Sequence, residues 1–135
     1  MIHEMRIGPL HATVEVLSDH LYVRELVDPE TPAQMVEYLH DVERIAREAA
    51  VPKVIFDARA ENDVHVAHPD VLDARWEYFR TGDHFRYVAV VLPSAMAVAR
   101  VNMTAVARGA KSRIRGFEAA DDARLWIVSA GKRAG

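Results

Sequence analysis

The pattern of hydrophobic positions along the chain predicts strands of two kinds. Residues 87–92, YVAVVL, and residues 54–56, VIF, are uninterrupted apolar runs, which are typical of strands buried on both faces. Residues 13–17 and 21–27 instead alternate apolar and polar side chains and are separated by a short polar turn. Two alternating strands joined this closely predict an antiparallel hairpin.

The clearest helix signal follows the hairpin. Thr31, Pro32 and Gln34 form a capping-box sequence with proline at the first helical position. An apolar stripe at three- and four-residue spacing follows, formed by Met35, Leu39, Val42, Ala46 and Ala49. These features predict an amphipathic helix that ends before Pro52.

Three further helices are predicted, with a short strand before the last one. One runs from about residue 69 to Gly82, with a stripe of Val71, Leu72, Arg75, Trp76 and Phe79. The next is capped by Ser94 and ends at Gly109. Its small residues permit close approach to the sheet, through a side formed by Met96, Ala99, Met103, Val106 and Ala107. Charges that alternate along residues 113–117 indicate an edge strand. The final helix is expected to dock through Ala123, Trp126 and Ile127.

Strands that alternate with helices require crossover connections and therefore a largely parallel sheet. We predict one α/β domain over residues 1–135, with a core at about residues 11–128. Its sheet is expected to be mixed but mostly parallel, with an N-terminal antiparallel hairpin and about four helices. Residues 1–9 are expected to be irregular. Phe56, Val90 and Trp126 are expected to meet in one interior.

Composition narrows the class of protein. The chain contains no cysteine, which excludes disulfides and thiolate metal sites. No apolar run reaches the ~18 residues of a membrane span, and the N-terminus lacks a signal-peptide apolar region, so we expect a cytoplasmic protein that is not an integral membrane protein. Residues 100–135 carry a balance of +5 and residues 1–99 a balance of −8. This asymmetry indicates either a surface for an anion or partner, or ordinary solvated faces.

His65 and His68 are the sharpest candidates for metal chemistry, with Asp63 and Asp70 nearby. Two imidazoles three residues apart and a carboxylate could hold zinc, but a catalytic site needs a third ligand, for which His84 is the remaining candidate. The alternatives are histidines that are exposed or that cap a helix, and a contact that responds to pH. We favour exposed or capping histidines and predict no metal.

Asp57 and Arg59 follow a predicted central strand at its carboxyl end, where open α/β sheets usually bind ligands. Either the two residues contact a ligand or partner, or Asp57 caps loop amides and Arg59 pairs with it. Ser94 has the matching place after the next strand, but it lacks the glycines of a nucleophile elbow, and helix capping explains it. A glycine-rich phosphate loop is also lacking. The sequence therefore predicts no catalytic residue and no cofactor.

Two other groups of side chains have competing interpretations. A basic patch could be formed by Arg108, Lys111, Arg113 and Arg115. Nucleic-acid binding would require more positive charge and stacking aromatic residues, so we predict no nucleic-acid partner. Trp76, Tyr78 and Phe79 either pack in the core or line an apolar cavity or a dimer face. Trp76 and Tyr78 cannot both point inward at this spacing, so one of them should be partly exposed.

Two local patterns resemble a known family, the SpoIIAA-like branch of the STAS/Sec14-like α/β domains. They are the strand pair Val54-Ile55-Phe56-Asp57 and Val88-Ala89-Val90-Val91, and the closing segment with Phe117, Ala123, Trp126 and Ile127. The resemblance covers about residues 11–128. It implies a mixed sheet with helices mainly over one face, and a binding or regulatory module rather than an enzyme. In that family's sporulation antagonists a phosphorylatable serine or threonine lies in the loop that matches residues 62–68, which contain neither, so the kinase-regulated role is not expected here.

We therefore predict a non-catalytic module that recognises a protein partner and forms a homodimer. Its working part is expected to be residues 57–69 with the helix that follows. The candidate contact residues are Asp57, Arg59, His65, His68 and Trp76. The alternative is a carrier of a small apolar or lipid-like ligand held between the second helix and the sheet. A metal-dependent enzyme is a third class, for which the sequence contains no constellation.

Overall fold

The computed structural model describes residues 2–60 and 69–131, which contain six strands and four helices. The strands are β1 (Ile2–Ile7), β2 (Leu10–Val16), β3 (Leu21–Val27), β4 (Lys53–Asp57), β5 (Tyr87–Val91) and β6 (Ile114–Phe117). The helices are α1 (Pro32–Ala49), α2 (Pro69–Thr81), α3 (Ala95–Ala107) and α4 (Ala120–Ser129).

The six strands form one sheet in chain order, from β1 at one edge to β6 at the other. β1, β2 and β3 pair antiparallel, and β3, β4, β5 and β6 pair parallel. Each parallel pair needs a crossover connection, and the helices supply these crossovers. The predicted single α/β domain with a mixed, mostly parallel sheet and an N-terminal antiparallel hairpin is confirmed.

The predicted irregular start is wrong for Ile2–Ile7, which form an edge strand paired with β2. Because Glu4 and Arg6 are charged, the hydrophobicity pattern of residues 2–7 does not indicate a strand. These two alternate with residues that point to the other face of the sheet, where Met5 is buried. Gly8, with a φ of +57°, makes the tight turn into β2.

The predicted capping box of α1 is present. The Thr31 hydroxyl accepts a hydrogen bond from the Gln34 amide at 3.1 Å, and the Gln34 side chain accepts one from the Thr31 amide at 3.3 Å. The helix ends at Ala50, which adopts a left-handed conformation. Its buried face carries Met35, Tyr38, Leu39, Val42, Ile45 and Ala46, so the predicted apolar stripe is confirmed except at its last residue, Ala49, which is half-buried.

Three helices cover one face of the sheet, and α4 covers the other. Phe56 lies in the core beneath α1, α2 and α3, and Val90 packs against this core. Trp126 packs in a separate cluster with Ile55 and Ile127 on the α4 side. The expected single interior for Phe56, Val90 and Trp126 is therefore wrong, because neighbouring residues of β4 point to opposite faces and each face has its own core.

α3 meets the sheet through a different side from the predicted one. Met96 and Met103 are each 72% exposed and Val106 is 61% exposed. The Asn102 side chain instead accepts a hydrogen bond from the Gly116 amide at 2.8 Å, which turns this side of the helix toward β6. Because the helix is apolar on most sides, its periodicity could not select the side that packs.

A buried ion pair links the sheet to the second helix. Glu25 of β3 is 1% exposed, and its carboxylate lies 2.9 Å from the guanidinium of Arg75 of α2. The Tyr38 hydroxyl donates a hydrogen bond to the same carboxylate at 2.6 Å. The Arg75 guanidinium also lies 4.5 Å from the centre of the Phe56 ring. These contacts connect β3, α1 and α2 inside the core.

In the part of the chain that the structure describes, no helix combines the length and the apolar character that crossing a membrane requires.

The Glu25→Ala variant should lower the free energy of unfolding by about 3–5 kcal/mol, because it removes the buried carboxylate that pairs with the Arg75 guanidinium and accepts a hydrogen bond from Tyr38. The measurement is urea unfolding followed by circular dichroism. Glu77→Ala is the matched control, because Glu77 also pairs with an arginine of α2 but at the surface. Exposed pairs contribute little, so this control should unfold like the wild type. Equal losses in the two variants would contradict the assigned role of the buried pair.

Candidate functional site

Asp57 lies at the carboxyl end of β4, on the α4 side of the sheet, and is 3% exposed. Its carboxylate accepts four hydrogen bonds. The Tyr22 hydroxyl of β3 donates to Oδ2 at 2.6 Å. Arg59 donates from Nη2 to Oδ2 at 2.7 Å, from Nε to Oδ1 at 3.0 Å and from its backbone amide to Oδ1 at 3.2 Å. The structure thus brings Asp57 and Arg59 together, as the pairing interpretation of the sequence predicts.

The hydrogen bonds set the charge state of this group. Burial acts to raise the pKa of Asp57, but the hydrogen bonds from Arg59 and Tyr22 outweigh it and the pKa lies below its ordinary value of 3.8. Burial and the hydrogen bond to Asp57 raise the pKa of Tyr22. Hydrogen bonding to Asp57 raises the pKa of Arg59. Near neutral pH the cluster is therefore a carboxylate held by a guanidinium and a neutral phenol.

Arg124 of α4 adds a second positive charge, since its guanidinium lies 5.0 Å from the centre of the Tyr22 ring. The Arg59 side chain is 45% exposed, and Arg124 is exposed. Asp57 itself is enclosed and fully engaged as an acceptor, so it positions Arg59 and leaves the guanidinium as the group that a partner can reach. This arrangement suits recognition of an anionic group better than proton transfer.

An apolar cavity of about 90 Å³ lies between α2, α3 and the sheet. Its walls include Leu72, Phe79, Val90 and Val101, and Arg75 and Arg100 also line it. Ala58, the residue before Arg59, and Ala97, in the first turn of α3, also line it. The cavity occupies the place where the sequence suggested that a small apolar ligand could bind.

Trp76 is 8% exposed and forms part of the wall of this cavity. The Arg108 guanidinium lies 5.9 Å from the centre of its ring and 3.4 Å from the Asp73 carboxylate. Tyr78 is the partly exposed member of the pair, with its ring 5.2 Å from that of His40. Trp76 is thus a core and cavity residue.

His65 and His68, the two candidate metal ligands, lie outside the described residues. His84, the suggested third ligand, donates a hydrogen bond from Nε2 to the Val51 carbonyl at 2.9 Å. Over residues 2–60 and 69–131, histidine and acidic side chains form no group of three or more that could hold a metal ion.

The exposed side of α3 is a feature that the sequence analysis missed. Met96, Ala99, Met103 and Val106 recur at intervals of three, four and three residues, the spacing of a helix-pairing seam. The spacing is visible in the sequence, but it predicts only that these residues share one side of the helix and not that this side faces solvent. We call these four residues the α3 seam.

A comparison with solved structures finds a similar fold in the crystal structure of an uncharacterized protein from the DUF3478 family with a SpoIIAA-like fold, from Shewanella loihica PV-4. The two chains align over 91% of this one and 97% of that one, with a TM-score of 0.57 and 15% identity. No protein-family model matches this sequence, and neither does a curated protein. The likeness shows that this chain has a SpoIIAA-like fold.

The lowered pKa of Asp57 predicts a specific acid sensitivity. A carboxyl whose pKa is lower in the folded than in the unfolded chain stabilises the fold above about pH 4 and loses that contribution as the pH falls through the folded value. The Asp57→Asn variant lacks this titration. The difference in free energy of unfolding between wild type and variant should therefore be largest at pH 6 and shrink by pH 3.

Urea unfolding at both pH values measures this difference, and Asp73→Asn, an exposed acid, is the control. A gap between wild type and Asp57→Asn that widens on acidification would contradict the assigned hydrogen bonding.

Proposed function

We propose that this protein is a non-catalytic binding module that recognises a protein partner, and that the α3 seam is its main contact surface. The observation that carries this proposal is the exposure of Met96, Met103 and Val106 on one side of one helix. Apolar side chains scattered singly over a surface need no explanation, whereas a cluster of large ones on one side of a helix is typical of an interaction site. Methionine suits such a surface because its flexible side chain adapts to a partner.

The charge around the seam indicates the chemistry of the partner. Arg100 is the one charged residue of α3, Arg108 follows its last turn, and the helix has no acidic residue. Arg100 lies next to the seam on the helix and is exposed. A second copy of α3 would bring positive charge against positive charge, so the seam favours a partner helix with an apolar stripe flanked by acidic side chains.

The candidate residues at the carboxyl edge of the sheet form a second basic site, on the α4 side. Arg59 lies one residue beyond Ala58, which shares the cavity wall with the first turn of α3. An acidic partner that reaches this edge would meet the exposed guanidinium that Asp57 holds in place. Because the Asp57 carboxylate already accepts four hydrogen bonds, it supports a recognition role rather than catalysis. Histidines 65 and 68 remain predicted contacts, and a cytoplasmic location remains a prediction.

A designed peptide tests the surface directly. The probe is a fluorescein-labelled helix with leucine at the seam spacing and glutamate at the flanking positions, and its control has lysine in place of glutamate. We expect the glutamate peptide to bind and the lysine peptide to bind at least tenfold more weakly, because only the first complements the basic surround. Fluorescence anisotropy measures both dissociation constants.

Protein variants locate the contact. The double variant Met96→Ser, Met103→Ser should weaken binding of the glutamate peptide at least tenfold, and Leu125→Ser should leave it unchanged. Leu125 is the matched control because it is a similarly exposed apolar residue, at 71%, but lies on α4. Unfolding midpoints should stay close to that of the wild type, since all these side chains are exposed. Equal binding by both variants would refute the α3 seam as the contact surface.

The cavity supports a second candidate function, that of a carrier or sensor of a small apolar ligand. Its volume of about 90 Å³ is far below the roughly 300–1,000 Å³ of typical ligand pockets. A lipid-sized ligand would therefore require α3 to move away from α2. The cavity as it stands suits only a ligand of a few heavy atoms.

Xenon tests this second function. Methyl resonances of Val88, Val90 and Val101 should shift on titration with xenon, and Ala97→Leu, which fills part of the space, should abolish the shifts. Native mass spectrometry of the purified protein would show a co-purified ligand. A clean apo mass together with unmoved methyl resonances would exclude a carrier function for this cavity.

A further inference from the structure

The two edges of the sheet differ in the availability of their backbone groups. At the β6 edge, the amides of Val88 on β5 and of Leu92 just after it donate to the carbonyls of Arg113 and Phe117, each at 2.8 Å. The backbone amides of Ile114 and Gly116, which alternate with these residues, therefore point away from β5. The Ile114 amide donates to the Ala110 carbonyl at 2.9 Å. The outward-pointing amide of Ile114 is therefore already hydrogen-bonded within the same chain.

Gly116 completes the closure of this edge. Its amide donates to the Asn102 side chain of α3, and a Cβ at this position would lie 3.4 Å from Val101 and 3.2 Å from Leu92. The close approach of α3 thus covers the outer edge of β6, and a further strand has no free amide to pair with there.

The β1 edge is different. β1 is the terminal strand and pairs with β2 alone among the described strands. Because a two-residue turn joins the two strands, Ile7 and Leu10 close the ladder as a hydrogen-bonded pair. Alternate residues of an antiparallel strand direct their backbone groups to opposite edges. Glu4 and Arg6 therefore direct their amide and carbonyl groups away from β2.

Charges on an edge strand usually discourage pairing, but here their order makes the strand complementary to itself. Glu4 and Arg6 lie two residues apart on one face, with an ion-pair distance of 2.9 Å, and their side chains are largely exposed. An antiparallel copy of β1 centred on Met5 sets each Glu4 opposite Arg6 of the second copy. Shifting the centre to residue 4 or 6 instead sets glutamate against glutamate or arginine against arginine.

The same register also satisfies the backbone. Centred on Met5, the outward-pointing groups of Glu4 face those of Arg6 of the second copy, which forms about four main-chain hydrogen bonds. Side-chain charge and backbone pairing thus select one arrangement. We propose that this protein forms a homodimer in which the β1 strands of two copies pair antiparallel about Met5, so that one sheet runs through both copies.

This dimer is independent of the proposed partner-binding surface. α3 packs on β6, at the opposite edge of the sheet from β1. Dimerisation through β1 therefore leaves the α3 seams of both copies accessible, and a partner with two acidic helices could engage both and gain avidity.

Charge reversal tests the dimer and its register together. Sedimentation velocity of the protein should show a dimer at concentrations of about 100 μM, as suits a modest interface. Glu4→Arg sets arginine against arginine at both ends and should weaken dimerisation at least tenfold. The double variant Glu4→Arg, Arg6→Glu restores opposite charges and should restore the dimer. Glu37→Arg, the same charge change on the exposed side of α1, should leave the dimer unchanged.

Hydrogen exchange provides a second readout. The amides of Glu4 and Arg6 should gain protection as the protein concentration rises, because pairing removes them from water, while circular dichroism confirms that each variant is folded. A wild type that remains monomeric at several hundred μM would overturn the proposal. So would a dimer that survives in Glu4→Arg, that is not restored by the charge exchange, or that dissociates only when Met96 and Met103 are changed.

Discussion

The structure depends on covering both faces of the central strand β4. Its residues alternate between the two sides, so Phe56 lies beneath α1, α2 and α3 while Ile55 lies beneath α4. A strand that is apolar on both faces cannot remain exposed on either, and its parallel neighbours require crossover connections. One helix must therefore pack on the face opposite to the other three. This requirement creates two separate cores and places Trp126 in the smaller one.

Covering both faces also buries the carboxylates of Glu25 and Asp57, and each of these two is neutralised by an arginine that reaches it differently. Glu25 pairs with Arg75, fifty residues along the chain, and this contact ties α2 to the sheet. Asp57 pairs with Arg59, its near neighbour, and leaves part of that guanidinium in solvent. The first pair connects elements of the core. The second lies at the carboxyl edge of the sheet and presents positive charge there.

The exposed side of α3 and the open edge of β1 both follow from how the two edge strands of the sheet are covered. At the β6 end, α3 closes the edge through Asn102, and the same rotation exposes Met96 and Met103. At the β1 end, no other strand of the described chain pairs with the outward-pointing backbone groups of Glu4 and Arg6. A closed edge with an apolar helix and an open edge with self-complementary charges suit two different contacts, one with a partner and one with a second copy.

The sequence by itself determined most of the elements and the order in which they occur. The capping box at Thr31, the buried run of β5 and the pairing of Asp57 with Arg59 all depend on residues that are close along the chain. Such signals are local, and they indicated the α/β class and the edge position of β6. They also placed Asp57 at the carboxyl end of a central strand.

Only the tertiary structure decided which way these elements face. Periodicity shows which residues share a side of a helix, but it cannot say which side meets the sheet when most sides are apolar, as in α3. β1 escaped detection because its charged residues obscure the alternation until β2 is beside it. The partner of Glu25, the side of the sheet that Trp126 occupies and the cavity between α2 and α3 all depend on contacts between distant segments, and these arise only when the chain packs.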